Sequence, residues 1–238
     1  MAAAKQFVEQ DLRGARFIEC DLSEVVMRGV EVTGMEIDAP WLGVGSGLKV
    51  NGVDVTAFVE GELDRRFPGR DMRRVTSAQG LREAWDALDL AWDVAVERAA
   101  SLPEGSVDVR IEDEWSFAET LRHLVRATDV WLGKGVLGID ESKSHPLGLR
   151  HGAGAQQVLP LTEVLAARAS RARMVRDYLA TVTDDVLDED RRNPHDPDEA
   201  ETVRSCVHVI LQEGWEHLRF ASRDLDEVES RSVPASCF

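Results

Sequence analysis

The stretch that decides the fold is Val203-Arg-Ser-Cys-Val-His-Val-Ile-Leu-Gln-Glu-Gly-Trp-Glu-His-Leu-Arg-Phe-Ala-Ser-Arg-Asp-Leu225, near the end of a chain of 238 residues. Its apolar residues recur at the spacing of an amphipathic helix, and they are Val203, Val207, Ile210, Leu211, Trp215, Leu218 and Leu225. The pattern predicts a long helix that packs against a core. Within this helix Glu213 and His217 stand four residues apart, so their side chains leave successive turns in the same direction.

A second stretch, residues 115–131, repeats that spacing with Glu119 and His123. Side chains on facing helices of a bundle can converge in the interior and bind a metal ion there. The two Glu-x-x-x-His pairs therefore predict a metal site between two core helices.

Each of these residues also has a structural interpretation. An isolated carboxylate and imidazole are costly to bury, which favours metal ligation by Glu213 and His217 over a hydrogen-bonded core pair. His123 stands among apolar residues, where an ordinary buried histidine is the alternative. Glu119 follows Ser116 by three residues, the spacing of a capping box, so we expect it to cap its helix as well as being the candidate catalytic residue.

The rest of the chain from residue 56 is dominated by helical patterns. A short helix is predicted from Thr56 to Arg66, and four long ones at about 78–102, 116–134, 161–182 and from 203 onward. A glycine- and proline-containing loop, 139–160, joins the second and third long helices. It contains His145 and His151, which we expect to be ordinary loop histidines rather than part of a lid over a pocket. Four long helices and one extended crossover predict a mainly α protein built on a four-helix bundle of up-down type.

Before the helices, large apolar residues fall five apart without a miss, at Phe7, Leu12, Phe17, Leu22, Met27, Val32 and Ile37. Neither a helix nor a flat strand has a period of five. A coil that turns a square corner every five residues does, with the large residues pointing inward. Segments such as Gln10-Asp-Leu-Arg-Gly resemble pentapeptide repeats, and the resemblance implies a right-handed quadrilateral β-helix with four repeats in each coil. Seven such units make fewer than two coils, so we expect a short cap that stands poorly alone and that can mediate a homodimer.

Composition limits the partners. The formal net charge of −16 disfavours binding to nucleic acid. No apolar run is long enough to cross a membrane. Three cysteines do not make a disulfide framework, so we expect a reducing, cytoplasmic location. Cys206 is expected to be a small core residue, and His208 should lie on another face of its helix than Glu213.

The motifs around the two pairs resemble a known superfamily. Trp115-Ser-x-x-Glu-Thr-Leu-x-His-Leu-Val and His208-Val-Ile-Leu-x-Glu-x-Trp-Glu-His217 are similar to DinB-type four-helix bundles, which include mycothiol-dependent maleylpyruvate isomerases. The upstream residues resemble a branch with fused pentapeptide repeats. The resemblance implies a pentapeptide cap at 1–56, a linker with a short helix at 57–75, a DinB-like bundle at 76–230 and a tail at 231–238.

In that superfamily a divalent metal is typically held by three histidines. His123 matches the first and His217 the last, while Glu213 stands in place of the middle one. The carboxylate shifts the expected preference toward iron, manganese or zinc, so the candidate metals are zinc, nickel, manganese and iron. The resemblance implies an enzyme that activates a low-molecular-weight thiol, mycothiol or a similar one, for attack on an electrophilic small molecule. A hydrolase of the same fold and a non-catalytic stress-response or scaffold protein, binding a partner through its cap, remain the alternatives.

Overall fold

The structure, a computed structural model, describes residues 6–43, 47–150, 157–196 and 198–232. The chain forms two compact units, Met1–Ala39 and Pro40–Phe238. The division lies earlier than the boundary at residue 56 that the sequence predicts, so residues 40–56 belong to the unit that contains the helices.

The backbone of the N-terminal unit repeats every five residues. Positive φ angles occur at Glu9, Gly14, Glu19, Glu24, Gly29 and Gly34. The structure nevertheless does not show the predicted β-helix, because residues 6–39 contain no β-strand. The seven large apolar residues expected to point inward have 47–65% of their surface exposed. With fewer than two coils there is little neighbouring coil to cover them.

The second unit is mainly helical. Its α-helices are α1 (Thr56–Arg66), α2 (Ala78–Ala100), α3 (Phe117–Thr128), α4 (Leu161–Thr181), α5 (Asp184–Leu187) and α6 (Val203–Ser232). A π-helical segment, Asp129–Val136, continues α3, and single 3-10 turns lie at Arg70–Arg74, Ser106–Asp108 and Glu141–Lys143. Two antiparallel hairpins pair β1 (Lys49–Val50) with β2 (Val53–Asp54) and β3 (Asp190–Arg192) with β4 (Ala200–Thr202).

Local chemistry explains where these elements begin and turn. The Ser77 side chain accepts a hydrogen bond from the Gly80 N–H at the start of α2. Asn51 and Gly52 join β1 to β2 with positive φ angles of 50° and 81°, as a two-residue hairpin turn requires. The predicted short helix from Thr56 to Arg66 is confirmed as α1.

Helices α2, α3, α4 and α6 form a four-helix bundle. α2 and α3 each pack against both α4 and α6, so α2 and α3 lie diagonally opposite. Hydrogen bonds between helices show how the helices are directed. Trp92 donates to the Gly214 carbonyl and Arg98 donates to Glu229, so α2 and α6 run parallel.

The directions of successive helices differ from the simple up-down alternation that the sequence predicts. α3 and α6 are antiparallel, because His123 of α3 is hydrogen-bonded to Glu213, while Glu114, just before α3, is hydrogen-bonded to Arg223. α2 and α4 are antiparallel, so α3 and α4 run the same way and the order is up, down, down, up. Two parallel successive helices need a connection as long as the bundle, which accounts for the crossover at 137–160.

The bundle core contains the apolar faces of its helices. Leu81, Trp85, Leu88 and Trp92 of α2 are at most 2% exposed, as their spacing predicts. In the part of the chain that the structure describes, no helix is both long and apolar enough to cross a bilayer.

Candidate metal centre

The start of α3 fixes the position of His123. Ser116 Oγ accepts a hydrogen bond from the Glu119 N–H (3.3 Å), and Glu119 Oε2 accepts one from the Ser116 N–H (3.0 Å). The predicted capping box is confirmed. Arg110 also donates to both oxygens of Glu119, at 2.8 and 2.5 Å. Glu119 is therefore fully engaged at the cap and does not join the metal-ligand group, whereas His123, one turn later, is 6% exposed and faces α6.

The turn of α6 that bears Glu213 and His217 lies very close to α2. A Cβ on Gly214 would be 2.5 Å from Leu88 Cδ2, and the Gly214 carbonyl accepts a hydrogen bond from Trp92 Nε1 at 3.1 Å. A helical glycine weakens the helix by about 1 kcal/mol relative to alanine. Here the glycine allows α2 and α6 to approach closely. This contact fixes the position of Glu213 and His217 along the axis of the bundle.

The three predicted ligands converge. His123 Nε2 lies 3.1 Å and His217 Nε2 lies 3.3 Å from the same oxygen, Glu213 Oε2. All three donor atoms lie within 4.8 Å of one another. Two donors bound at about 2.0 Å to one tetrahedral ion are about 3.3 Å apart, so the spacing fits a single ion. Two imidazoles and a carboxylate are a donor set that divalent zinc and iron accept with coordination positions left open.

Burial and hydrogen bonding govern the charges of the group. Burial raises the pKa of Glu213, but the hydrogen bonds and charges of the two histidines outweigh it and hold that pKa far below its ordinary value. Burial lowers the pKa of His123, and its hydrogen bond with Glu213 only partly opposes the effect. A neutral imidazole beside an ionised carboxylate is the protonation state that a metal ligand set requires.

Two aromatic rings pack against the histidines of the group. Trp115 lies with its ring centroid 4.6 Å from that of His123 and 5.8 Å from that of His217. Phe220 meets His217 edge-on at 5.8 Å. Sequence reasoning did not assign either aromatic residue to the site. The spacing of Phe220, three residues after His217, was the available signal, whereas nothing in the local pattern around Trp115 indicates its contact with α6.

The crossover is attached to α3 beside His123. The Leu149 N–H donates to the Arg122 carbonyl at 3.0 Å, and Arg122 Nε donates to the Leu147 carbonyl at 3.0 Å. Leu149 is buried, and its backbone favours the protonated form of His123. The crossover is thus attached directly beside the imidazole.

Other residues singled out by sequence lie elsewhere. His208 Nε2 is 2.8 Å from the Val75 carbonyl, away from Glu213 as expected. Cys206 is fully buried, and burial raises the pKa of its thiol to about 11, which agrees with a core role. The backbone N–H of His145 donates a hydrogen bond to Asp129 at 2.7 Å, which attaches this part of the crossover to the π-helical segment. His151 lies outside the described residues.

Comparison with known proteins identifies the family of most of the bundle. No curated protein and no solved structure matches the chain. The family model of the DinB superfamily matches residues 87–221, which is more than half of the chain and includes His123, Glu213 and His217. The finer assignment to a mycothiol-dependent branch has no such match. With its four-helix bundle and this match, the chain belongs to the DinB superfamily.

Proposed function

We propose that this protein is a metal-dependent enzyme that activates a low-molecular-weight thiol, of the mycothiol type, for transfer to or isomerisation of an electrophilic small molecule. The observation that carries the proposal is the convergence of His123, Glu213 and His217 with their donor atoms within 4.8 Å of one another. The substrate and the thiol are its partners in this proposal, with no part for nucleic acid or membrane.

The donor set supports zinc, nickel, manganese or iron(II) as the cofactor. A bound divalent ion lowers the pKa of a coordinated thiol or water and so supplies a nucleophile at neutral pH. His123 and His217 would hold it through Nε2 as neutral imidazoles, and the Glu213 carboxylate would contribute one negative charge. This donor set would leave a divalent ion with a net charge of about +1, which would favour an anionic group of the substrate nearby.

The surrounding residues have separate roles in the proposal. Trp115 and Phe220 exclude water from one side of the group, which strengthens the electrostatic effect of the ion on its ligands. Glu119, the candidate catalytic residue from the sequence, is engaged by Arg110 and Ser116. We therefore propose that Glu119 fixes the start of α3 and thereby orients His123, rather than transferring a proton.

The test is turnover by metal-loaded protein. With a mycothiol-type thiol and an activated aryl halide, we expect a thioether product, formed as the sulfur bonds to the ring carbon and halide leaves. The Glu213→Gln variant should lose this rate. Hydrolysis of an activated ester that needs no thiol would instead support the metal-dependent hydrolase. Absence of both reactions in protein that holds its metal would contradict the enzyme proposal.

A second candidate function is a non-catalytic scaffold or stress-response protein, and the N-terminal unit favours it. Its large apolar residues are exposed, at 65% for Phe7 and 57% for Phe17, which is typical of surfaces that bind another protein. The five-residue repeat of its backbone supports a pentapeptide-repeat cap. A homodimer formed through this unit would dissociate in a Phe7→Ser, Phe17→Ser variant, measured by sedimentation, whereas an unchanged sedimentation coefficient would contradict the proposed dimer.

A further inference from the structure

Two arginines outside the family match are buried beside the bundle. Arg70 and Arg73, in the 3-10 turn before α2, are 2% and 5% exposed. Arg70 donates to Asp64 of α1 at 2.7 Å, and Arg73 donates to both Asp64 (3.2 Å) and Glu60. Arginine is seldom buried without paired acids, so these contacts explain how the two guanidinium groups are tolerated.

The same arginines also reach α6. Arg70 Nη2 donates to Glu216 Oε1 at 3.1 Å, and Arg73 Nε donates to Gln212 Oε1 at 3.2 Å. Glu216 Oε2 accepts from Arg219 at 3.0 Å, so both oxygens of Glu216 are hydrogen-bonded, and Glu216 is not part of the metal group. Gln212 and Glu216 are themselves 5% and 4% exposed.

Gln212 and Glu216 directly precede the two metal-ligand candidates of α6. One residue corresponds to about 100° of rotation, so the pair 212/216 faces the arginines while Glu213 and His217 face α3. The Gln212 side chain also donates to the Pro40 carbonyl at 2.7 Å. Because the backbone of one helical turn moves as a unit, fixing Gln212 and Glu216 also fixes the directions of Glu213 and His217.

We propose that Arg70 and Arg73 are positioning residues of the metal group, which makes these two arginines and their partners Glu60 and Asp64 part of the functional centre rather than of a linker before the bundle. The proposal rests on the proposed function. Close packing of Gly214 against Leu88 fixes the distance between α6 and α2, and the arginine contacts limit the rotation of α6 about its own axis. Loss of the arginine contacts therefore affects only this rotation.

The experiment compares full-length Arg70→Met and Gln212→Met with a matched control, Arg98→Met. Arg98 also ties α6 to a neighbouring helix, through Asp226 and Glu229 at 2.7 and 2.8 Å, but more than two turns beyond His217. We measure the Kd for Co²⁺, the visible spectrum of bound Co²⁺, and the ring-nitrogen NMR shifts of the metal-free histidines. Both test variants should bind Co²⁺ about 10- to 100-fold more weakly, with a changed spectrum, because they disturb groups that orient the ligands.

The control should retain the wild-type Kd, spectrum and ring-nitrogen shifts. If Arg70→Met does not fold, Gln212→Met tests the proposal instead. It removes a neutral side chain, so Arg73 and Glu216 keep their oppositely charged partners. Folded test variants with wild-type Kd and spectrum would overturn the proposal. If wild-type protein binds no Co²⁺, the proposed function fails. The ring-nitrogen shifts of His123 and His217 then decide the positioning role alone: a change supports it, and unchanged shifts overturn it.

Discussion

At the scale of single residues, Glu213 is the shared partner of two imidazoles on two helices. We expect Glu213→Gln to weaken divalent metal binding by at least about tenfold, since an amide oxygen is a poorer ligand than a carboxylate. Glu119→Gln is the comparison, because Glu119 acts on His123 only through the start of α3. It should weaken metal binding less than Glu213→Gln does and mainly lose roughly 1–3 kcal/mol of stability through its contacts with Arg110. Equal metal loss in both variants, by isothermal titration, would contradict these assignments.

Acid should destabilise the metal-free protein. Burial lowers the pKa of His123 below its ordinary 6.5, so below that pH the unfolded chain takes up a proton that the native chain resists. The pKa of Glu213 is lower than its ordinary 4.5, so its stabilising contribution is present above pH 4.5 and is lost as the pH falls further. Both effects make the free energy of unfolding fall on acidification.

The measurement is urea unfolding in the presence of a chelator at about pH 7.5 and about pH 5. Wild-type protein should lose more free energy of unfolding between the two pH values than His123→Gln, because the variant lacks the buried imidazole. The same loss in both proteins would show that His123 is not held neutral by its surroundings.

Trp115 should report on occupancy of the metal group. Its ring lies 4.6 and 5.8 Å from the two imidazole rings, so bound Co²⁺ should quench its fluorescence. The chain has six tryptophans, and Trp131, which packs against His195 at 5.2 Å, serves as the control. Trp115→Phe should remove most of the Co²⁺-dependent quenching and Trp131→Phe should leave it. Equal quenching in both variants would contradict the location of the ion beside Trp115.

At the scale of elements, the approach of α6 to α2 depends on Gly214. Gly214→Ala should destabilise the protein by about 1–3 kcal/mol despite the higher helix propensity of alanine, because the new methyl group overlaps the buried Leu88. A methyl group added at Gly61 of α1 would meet no heavy atom within 4 Å, so Gly61→Ala should stabilise by roughly 0.5–1 kcal/mol. Urea unfolding measures both, and a stabilising Gly214→Ala would refute the close contact.

The elements themselves were largely predictable from local sequence. Ser116 and Glu119 mark the start of α3, and the apolar spacing of α2 marks its buried face, because capping and amphipathic periodicity act within one or two turns. The direction of α4 was not predictable in this way. The length of the crossover is visible in the sequence, but the packing among helices that decides the direction is encoded in no local pattern.

The site was predictable only where it lies on one helix. The four-residue spacing of Glu213 and His217 is local, and adding His123 required the assumption that the two helices meet. Arg70 contacts Glu216 across 146 residues of chain. Such a contact leaves no periodic signal, and an arginine is normally assigned to the surface. The buried arginines were therefore beyond what the sequence pattern could reveal.

At the scale of the whole molecule, the N-terminal unit should be dispensable for metal binding. All residues of the metal group, and the contacts that hold Gln212 and Glu216, lie in Pro40–Phe238. Protein that begins at Pro40 should therefore bind Co²⁺ with the Kd of the full chain. A large loss of affinity in this shortened protein would show that residues 1–39 contribute to the centre.

The existence of the metal centre is tested by the metal content of untagged protein, measured by elemental mass spectrometry for wild type and His217→Ala. We expect about one equivalent of a divalent metal per chain in the wild type and its loss in the variant. Wild-type protein that holds no metal, even after incubation with zinc, nickel, manganese or iron(II), would contradict the assignment of this centre. His123, Glu213 and His217 would then form a hydrogen-bonded core cluster.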